Sequence, residues 1–212
     1  MNLIQAVALT ADGATLEPLR VGHADEMVNV LADESIYSFI GGIPPTLESL
    51  RTRYDVQAKG VSPDGSEAWL NWIIRLVDTG QAVGYVQATV TDDGGCQVAE
   101  IAWVVSTPFQ GRRLATNAAI AMCRFLVDQG VERLMADVHA DHAASQGVAR
   151  AAGLHPTDEV VDGEVRWIAD VGSAGYRVRG ISASWRLWAT RRRSRPRSRR
   201  PPPETRRSRT ES

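Results

Sequence analysis

Between residues 69 and 105 three strand-length segments follow one another on short, turn-rich links, a spacing that favours antiparallel pairing of neighbours. Residues 69–77 (WLNWIIRLV) end at Asp78, Thr79 and Gly80. Residues 82–90 (AVGYVQATV) end in Asp92, Asp93, Gly94 and Gly95, and residues 98–105 (VAEIAWVV) stop short of Pro108. Residues 111–129 then read as a helix whose apolar set includes Leu114, Ala118, Met122, Phe125 and Leu126, with Gly130 as its stop.

The flanks extend this pattern. Residues 14–20 alternate as a strand, residues 24–32 follow as a helix, and Thr46 is a good N-cap for a helix reaching residue 58, its start fixed by Pro44 and Pro45. Downstream come a strand at 133–138, a helix at 143–152 stopped by Gly153, and strands near 154–161 and 164–169 joined by the hairpin signal Asp162-Gly163. The order β-α-α-β-β-β-α-β-α-β-β predicts an α/β domain. Its twisted mixed sheet is mostly antiparallel in the first half, built from βαβ units in the second, and covered by helices on both faces.

Charge divides the chain. The formal net charge of −1 conceals 11 basic against 23 acidic side chains in residues 1–170, and 13 arginines against Glu204 and Glu211 in residues 171–212. We therefore read residues 1–170 as one folded acidic domain. Residues 171–190 are a connecting segment of undecided structure, and residues 191–212 an Arg/Pro/Ser-rich tail with almost nothing to bury. An acidic body suits a cationic acceptor. The tail reads either as a silent solvated extension or as a tether to nucleic acid or ribosome, the only route by which nucleic acid enters.

No run approaches the roughly 20 apolar residues of a membrane span, and the N-terminus lacks the basic start of a signal peptide. Cys96 and Cys123 read as free thiols, so the expected setting is the cytoplasm without membrane contact. His139 and His142, with Asp137 and Asp141 nearby, lack strong zinc spacing, and no metal is expected.

The chemistry is concentrated in residues 100–116, EIAWVVSTPFQGRRLAT. This is a strand, a proline-marked loop and a helix expected to begin near Arg112. Unpaired amides at a helix start bind anions. Gly111 permits close backbone approach, and Arg112 and Arg113, expected in the first turn against the helix dipole, favour a phosphate or pyrophosphate there.

Here the chain resembles the GNAT acetyltransferase superfamily. Its cofactor signature, Gln/Arg-x-x-Gly-x-Gly/Ala, falls on Gln110-Gly111-Arg112-Arg113-Leu114-Ala115, with Arg113 where the central glycine is expected. The branch of ribosomal-protein N-terminal acetyltransferases is matched by Leu16 to Arg20 followed by His23 to Glu26, and by Trp72 to Arg75 leading to Thr79 to Gly84. Its second cofactor motif, Asn-x-x-Ser with Gly-Phe beyond, reads His142-Ala143-Ala144-Ser145 with Gly153-Leu154.

The resemblance implies an acetyl-CoA-dependent N-acetyltransferase acting on a primary amine by direct attack in a ternary complex. The acceptor is a peptide or protein N-terminus or a small cationic amine such as an aminoglycoside. A non-catalytic acyl-CoA-binding module of the same fold stays open, as does a homodimer. Implied cofactor contacts are Val104, Val105 and Ser106 along the pantetheine arm, Gln110, Gly111, Arg112, Arg113, Leu114, Ala115 and Thr116 at the pyrophosphate, and His142 and Ser145. Glu100 is the implied general base acting through water, or a strand residue facing solvent or paired. In apolar surroundings its carboxylate would hold a proton more tightly. Ser145 is the implied acid for the thiolate, or a hydroxyl bonded to its own backbone. His142 contacts the cofactor or caps the helix. Asp33, Glu34, Tyr37 and Phe39 line the acceptor side.

Overall fold

The computed structural model describes residues 4–171, so the expectations for residues 172–212 lie outside the described part. Eight strands form one sheet: β1 (Leu9–Ala11), β2 (Ala14–Pro18), β3 (Ala68–Leu76), β4 (Ala82–Asp93), β5 (Cys96–Val105), β6 (Arg133–His139), β7 (His155–Val161) and β8 (Glu164–Asp170). Their spatial order is β1-β2-β3-β4-β5-β6-β8-β7, antiparallel throughout except for β5 beside β6. The helices are α1 (Ala24–Val30), α2 (Tyr37–Ile40), α3 (Leu47–Gln57), α4 (Leu114–Asp128) and α5 (Ala143–Ala151). No helix among the described residues is long and apolar enough to cross a membrane.

The mixed sheet expected from the sequence is present, with three differences. Strand β1 was not expected. It pairs with β2 across Asp12 and Gly13, where Gly13 takes φ 77, the left-handed backbone that an Asp-Gly turn supplies. The stretch between α1 and α3, to which the sequence reading assigns no helix or strand, contains a 3-10 turn at Glu34–Ile36 that runs into α2. Helix α4 begins at Leu114, later than residues 111–112.

Helices cover both faces because the middle strands are apolar on both sides. Trp72 and Ile73 are adjacent in β3, point to opposite faces and are both fully buried. Trp72 joins Leu16, Val86, Met122 and Leu126 in the core under α4, where its ring meets Phe125 edge-on and its Nε1 donates to Val7 O at 2.7 Å. Ile73 joins Met27, Leu31, Leu50, Tyr54 and Val104 under α1 and α3. Such burial explains why WLNWIIRL is nearly continuous in apolar residues rather than strictly alternating. Truncating Leu50, buried at 0% exposure, to alanine would cost about 2–5 kcal/mol.

Candidate functional site

The sheet comes apart at its one parallel joint. β5 and β6 are in register only at Val98 with Arg133, Ala99 with Leu134 and Glu100 with Met135. Beyond Glu100, β5 keeps its pairing with β4 as far as Val105 opposite Gly84, while β6 follows β8 to the end. Residues 101–105 therefore have a strand neighbour on one side only, and the two strands enclose a wedge that opens toward α4 and α5.

The end of β5 is held tightly. Ser106 donates from both its amide (2.9 Å) and its buried hydroxyl (3.1 Å) to Val83 O, and Gln110 Nε2 donates to Val105 O at 3.0 Å. Val83 lies at an irregularity in the β3–β4 register, between Ile74 and Arg75 on the partner strand. Gly84 beside it has no room for a side chain against the Val104 carbonyl. Val104 and Val105 are buried.

Then comes a 3-10 turn, Thr107–Phe109, and a loop that reverses the chain into α4. Gly111 has φ 73, and Arg113, at φ 60 and ψ 10, is the N-cap residue. This corrects the expected placement: Arg112 and Arg113 precede the helix rather than occupying its first turn. Arg113 needs the left-handed backbone that glycine adopts freely, which gives the glycine of the family signature a physical reason. Arg112 lies over the Phe109 ring at 5.7 Å. The first bond across the helix start is Asn117 N to Arg113 O at 2.9 Å. Among the described residues, the amides of residues 111–116 donate to no protein acceptor, and the first turn carries no acid. Leu114 is buried, while Ala115 and Thr116 are half-buried. A row of free N–H groups at an uncapped helix start, beside two guanidinium groups, is an anion cradle.

The far wall of the wedge is α5. Trp103 Nε1 donates to Ser145 Oγ at 3.4 Å, joining β5 to α5 across the gap. His142 occupies the N-cap position of α5 without capping it through its side chain. Its ring instead stacks on Phe39, centroids 4.3 Å apart and 7° from parallel, while Phe39 also meets His139 at 5.4 Å. Burial, then the neighbouring His139, pushes the His142 pKa below its ordinary value. Through Phe39 the segment before α3 reaches the mouth of the wedge.

The other expected acceptor residues hold that segment in place or face solvent. Asp33 accepts from Ser35 N at 2.9 Å, and hydrogen bonds from Thr107 and Ser35 hold its carboxyl below the usual range. Ser35 Oγ lies 3.0 Å from Thr107 Oγ1, so this segment is tied to the turn that follows β5. Tyr37 donates to Leu31 O at 3.0 Å, and Glu34 is exposed. Glu100 stands at the fork itself but is solvent-exposed, so the apolar surroundings expected for it are absent. Its face of the sheet is that of Thr89 and Val104, toward α1 and α3. Asp137 is taken by Arg166 in a two-pronged contact at 2.9 Å, and no group of three potential metal-ligating side chains occurs among the described residues.

A family profile described as acetyltransferase (GNAT) domain matches residues 14–155. The chain belongs to the GNAT acetyltransferase family. No curated protein matches it in sequence. Solved structures share the GNAT fold at low identity. A GNAT-family acetyltransferase from Bacillus anthracis is 15% identical, with TM-score 0.62, covering 77% of this chain and 98% of that one. RimL, a ribosomal L7/L12 α-N-protein acetyltransferase solved with coenzyme A, is 14% identical, with TM-score 0.65, covering 78% and 98%. The aminoglycoside acetyltransferase AAC(6')-Ib solved with coenzyme A is 19% identical, with TM-score 0.59, covering 74% and 94%. GNAT enzymes use acetyl-CoA as co-substrate, and the last two structures hold coenzyme A.

Some parts of this GNAT domain were missed from sequence. Gly84 carried a signal, a glycine inside a strand, which marks close backbone approach. Trp103 and Thr107 carried none, since their roles depend on partners 42 and 72 positions away.

Proposed function

We propose that this GNAT domain transfers the acetyl group of acetyl-CoA to a primary amine by direct attack in a ternary complex. The observation that carries the proposal is the coincidence of two backbone features: the edge of β5 beyond Glu100, which has no strand neighbour and on which Gln110 takes only the Val105 carbonyl, and the free amides of residues 111–116 at its far end. The amides, with Arg112 and Arg113, suit the pyrophosphate, Gln110 and Gly111 shape the loop that presents them, and Leu114 anchors the helix below. Val104, Val105 and Ser106 line the edge along which a pantetheine arm adds in strand-like fashion, with main-chain N–H polarising the thioester carbonyl.

Glu100, at the fork and open to water, is suited to take the amine proton through a water molecule. Ser145 accepts from Trp103, which leaves its own hydroxyl proton to donate, as an acid for the departing thiolate requires. His142 and Phe39, stacked over the mouth, separate the reacting groups from bulk water. Asp33, Glu34 and Tyr37 support the acceptor side.

Calorimetric titration of the full-length protein with acetyl-CoA, followed by thiol-release assays with amine acceptors, tests this. Saturable heat and acceptor-dependent release are expected. Absence of heat and of thermal shift at millimolar acetyl-CoA would remove the reading.

A further inference from the structure

Beside Glu100 lies a cleft of about 730 Å³ between α3 and strands β3 and β4, within the size range of small-molecule sites. Its floor is a grid of side chains from two adjacent strands: Trp69 opposite Thr89, and Asn71 opposite Gln87. Arg53 and Gln57 of α3 contribute to the wall above. One strand further on, Thr89 is directly opposite Glu100, so the residue at the fork is the next one across the sheet from this end of the cleft.

The lining has a particular chemistry. The side chains of Arg53, Gln57, Asn71, Gln87 and Thr89 hydrogen-bond to no protein atom among the described residues. Trp69 differs: its Nε1 donates to Glu67 at 2.7 Å, so what remains for the cleft is the apolar ring. Arg53 and Glu48 are its ionised residues and offset one another. A polycation would gain little from such a lining, although the body as a whole is acidic. A peptide held by main-chain pairing would need a strand edge, and β3 and β4 are both interior strands. Carboxamides and hydroxyls, each donor and acceptor at once, match a body rich in hydroxyl groups, and an indole ring matches the C–H face of a sugar ring.

We infer that the acceptor is an amino sugar with a single primary amine, seated in this cleft with the amine directed to Glu100; this rests on the acetyl-transfer reading above. The amine nitrogen attacks the thioester carbonyl carbon, a C–N bond forms and the C–S bond breaks. Of the two protons the ammonium loses, one ends on the thiol sulfur and the other reaches solvent by way of Glu100. The products are an N-acetylated sugar and coenzyme A.

The test uses the full-length protein with glucosamine, a polycationic aminoglycoside and a short peptide with a free α-amine, each followed by thiol release. Glucosamine is also titrated calorimetrically into the CoA-saturated protein. Glucosamine should give the highest kcat/KM. Asn71→Leu and Gln87→Leu should each raise its KM about five- to tenfold while acetyl-CoA affinity holds. Trp69→Phe, which keeps an aromatic face, should raise the KM less than Trp69→Ala does, and equal KM values for the two variants would count against ring contact. Faster turnover of the peptide or aminoglycoside, no heat with glucosamine, or an unchanged KM in the Asn71 and Gln87 variants would overturn the inference. Glucosamine heat without thiol release would uphold the cleft as a sugar site and overturn the transfer reading instead.

Discussion

The carbonyl oxygen of Val104 lies 2.0 Å from the point where a Cβ on Gly84 would stand, and the Cα of Val105 lies 2.9 Å from it. The two strands are this close at the level of the wedge, where β5 has no neighbour on its other side to take up a displacement. Gly84→Ala must push β5 outward. The expected cost is about 1–3 kcal/mol in urea unfolding, accompanied by weaker acetyl-CoA binding in calorimetry. An unchanged midpoint would mean that β4 can yield elsewhere.

Arg113 holds a left-handed backbone at φ 60 without glycine's freedom. Arg113→Gly should raise stability by about 1 kcal/mol, seen as a rise of roughly 2–4 °C in Tm. Arg113→Ala keeps the strain and removes the cation. It should leave stability near wild type and weaken acetyl-CoA roughly threefold, more at low salt than at high. If glycine lowers Tm, the guanidinium contributes a contact that outweighs the strain.

For Glu100 and Ser145 the expectation concerns kcat rather than affinity. Glu100→Gln should reduce turnover near neutral pH about a hundredfold and leave the acetyl-CoA Kd unchanged. Ser145→Ala should reduce it less, because water can protonate a thiolate. A Glu100→Gln enzyme with full turnover would show that the amine arrives already deprotonated.

His23 is buried at 4% exposure, accepts from Arg20 N at 3.1 Å and faces Glu17, with Arg20, Arg75 and Glu26 around it. Burial is the largest influence and lowers its pKa from the ordinary 6.5, outweighing the attraction of Glu17. The unfolded chain then binds the proton more readily than the folded one, so stability is full above 6.5 and declines as pH falls below it. Tm measured across mildly acidic pH should fall for the wild type. His23→Gln should flatten that slope, and equal slopes would place the proton uptake elsewhere.

The chain announced its fold through local chemistry. The links after β3 and β4 and the hairpin at Asp162 and Gly163, both with positive φ, are decided by residues next to one another, and they read true. So did Thr46, whose hydroxyl caps α3 by accepting from Ser49 N at 3.2 Å. Strand β1 was missed although Asp12 and Gly13 signalled its turn, because three residues are too few to show a period. The start of α4 was misread because apolar spacing cannot see that Gly111 and Arg113 turn left-handed before the helix begins. Of the candidate site, the sequence displayed two local pieces, the continuous stretch of residues 100–116 and the short motif at residues 142–145. The stack of Phe39 on His142 and the grid beside Thr89 join segments whose proximity is created by the sheet order, and no spacing along the chain encodes them.

A sheet whose central seam unzips after Glu100 carries in its interior what most sheets carry only at their rims. If, as proposed, an amide-bearing arm lies along residues 101–105, it would extend the ladder there, and the co-substrate would serve as a missing strand as well as a reagent. Loading should therefore slow hydrogen exchange at those residues more than in β1 or β7, the two strands that border the sheet. Each turnover, on this view, closes and reopens the fold's own seam.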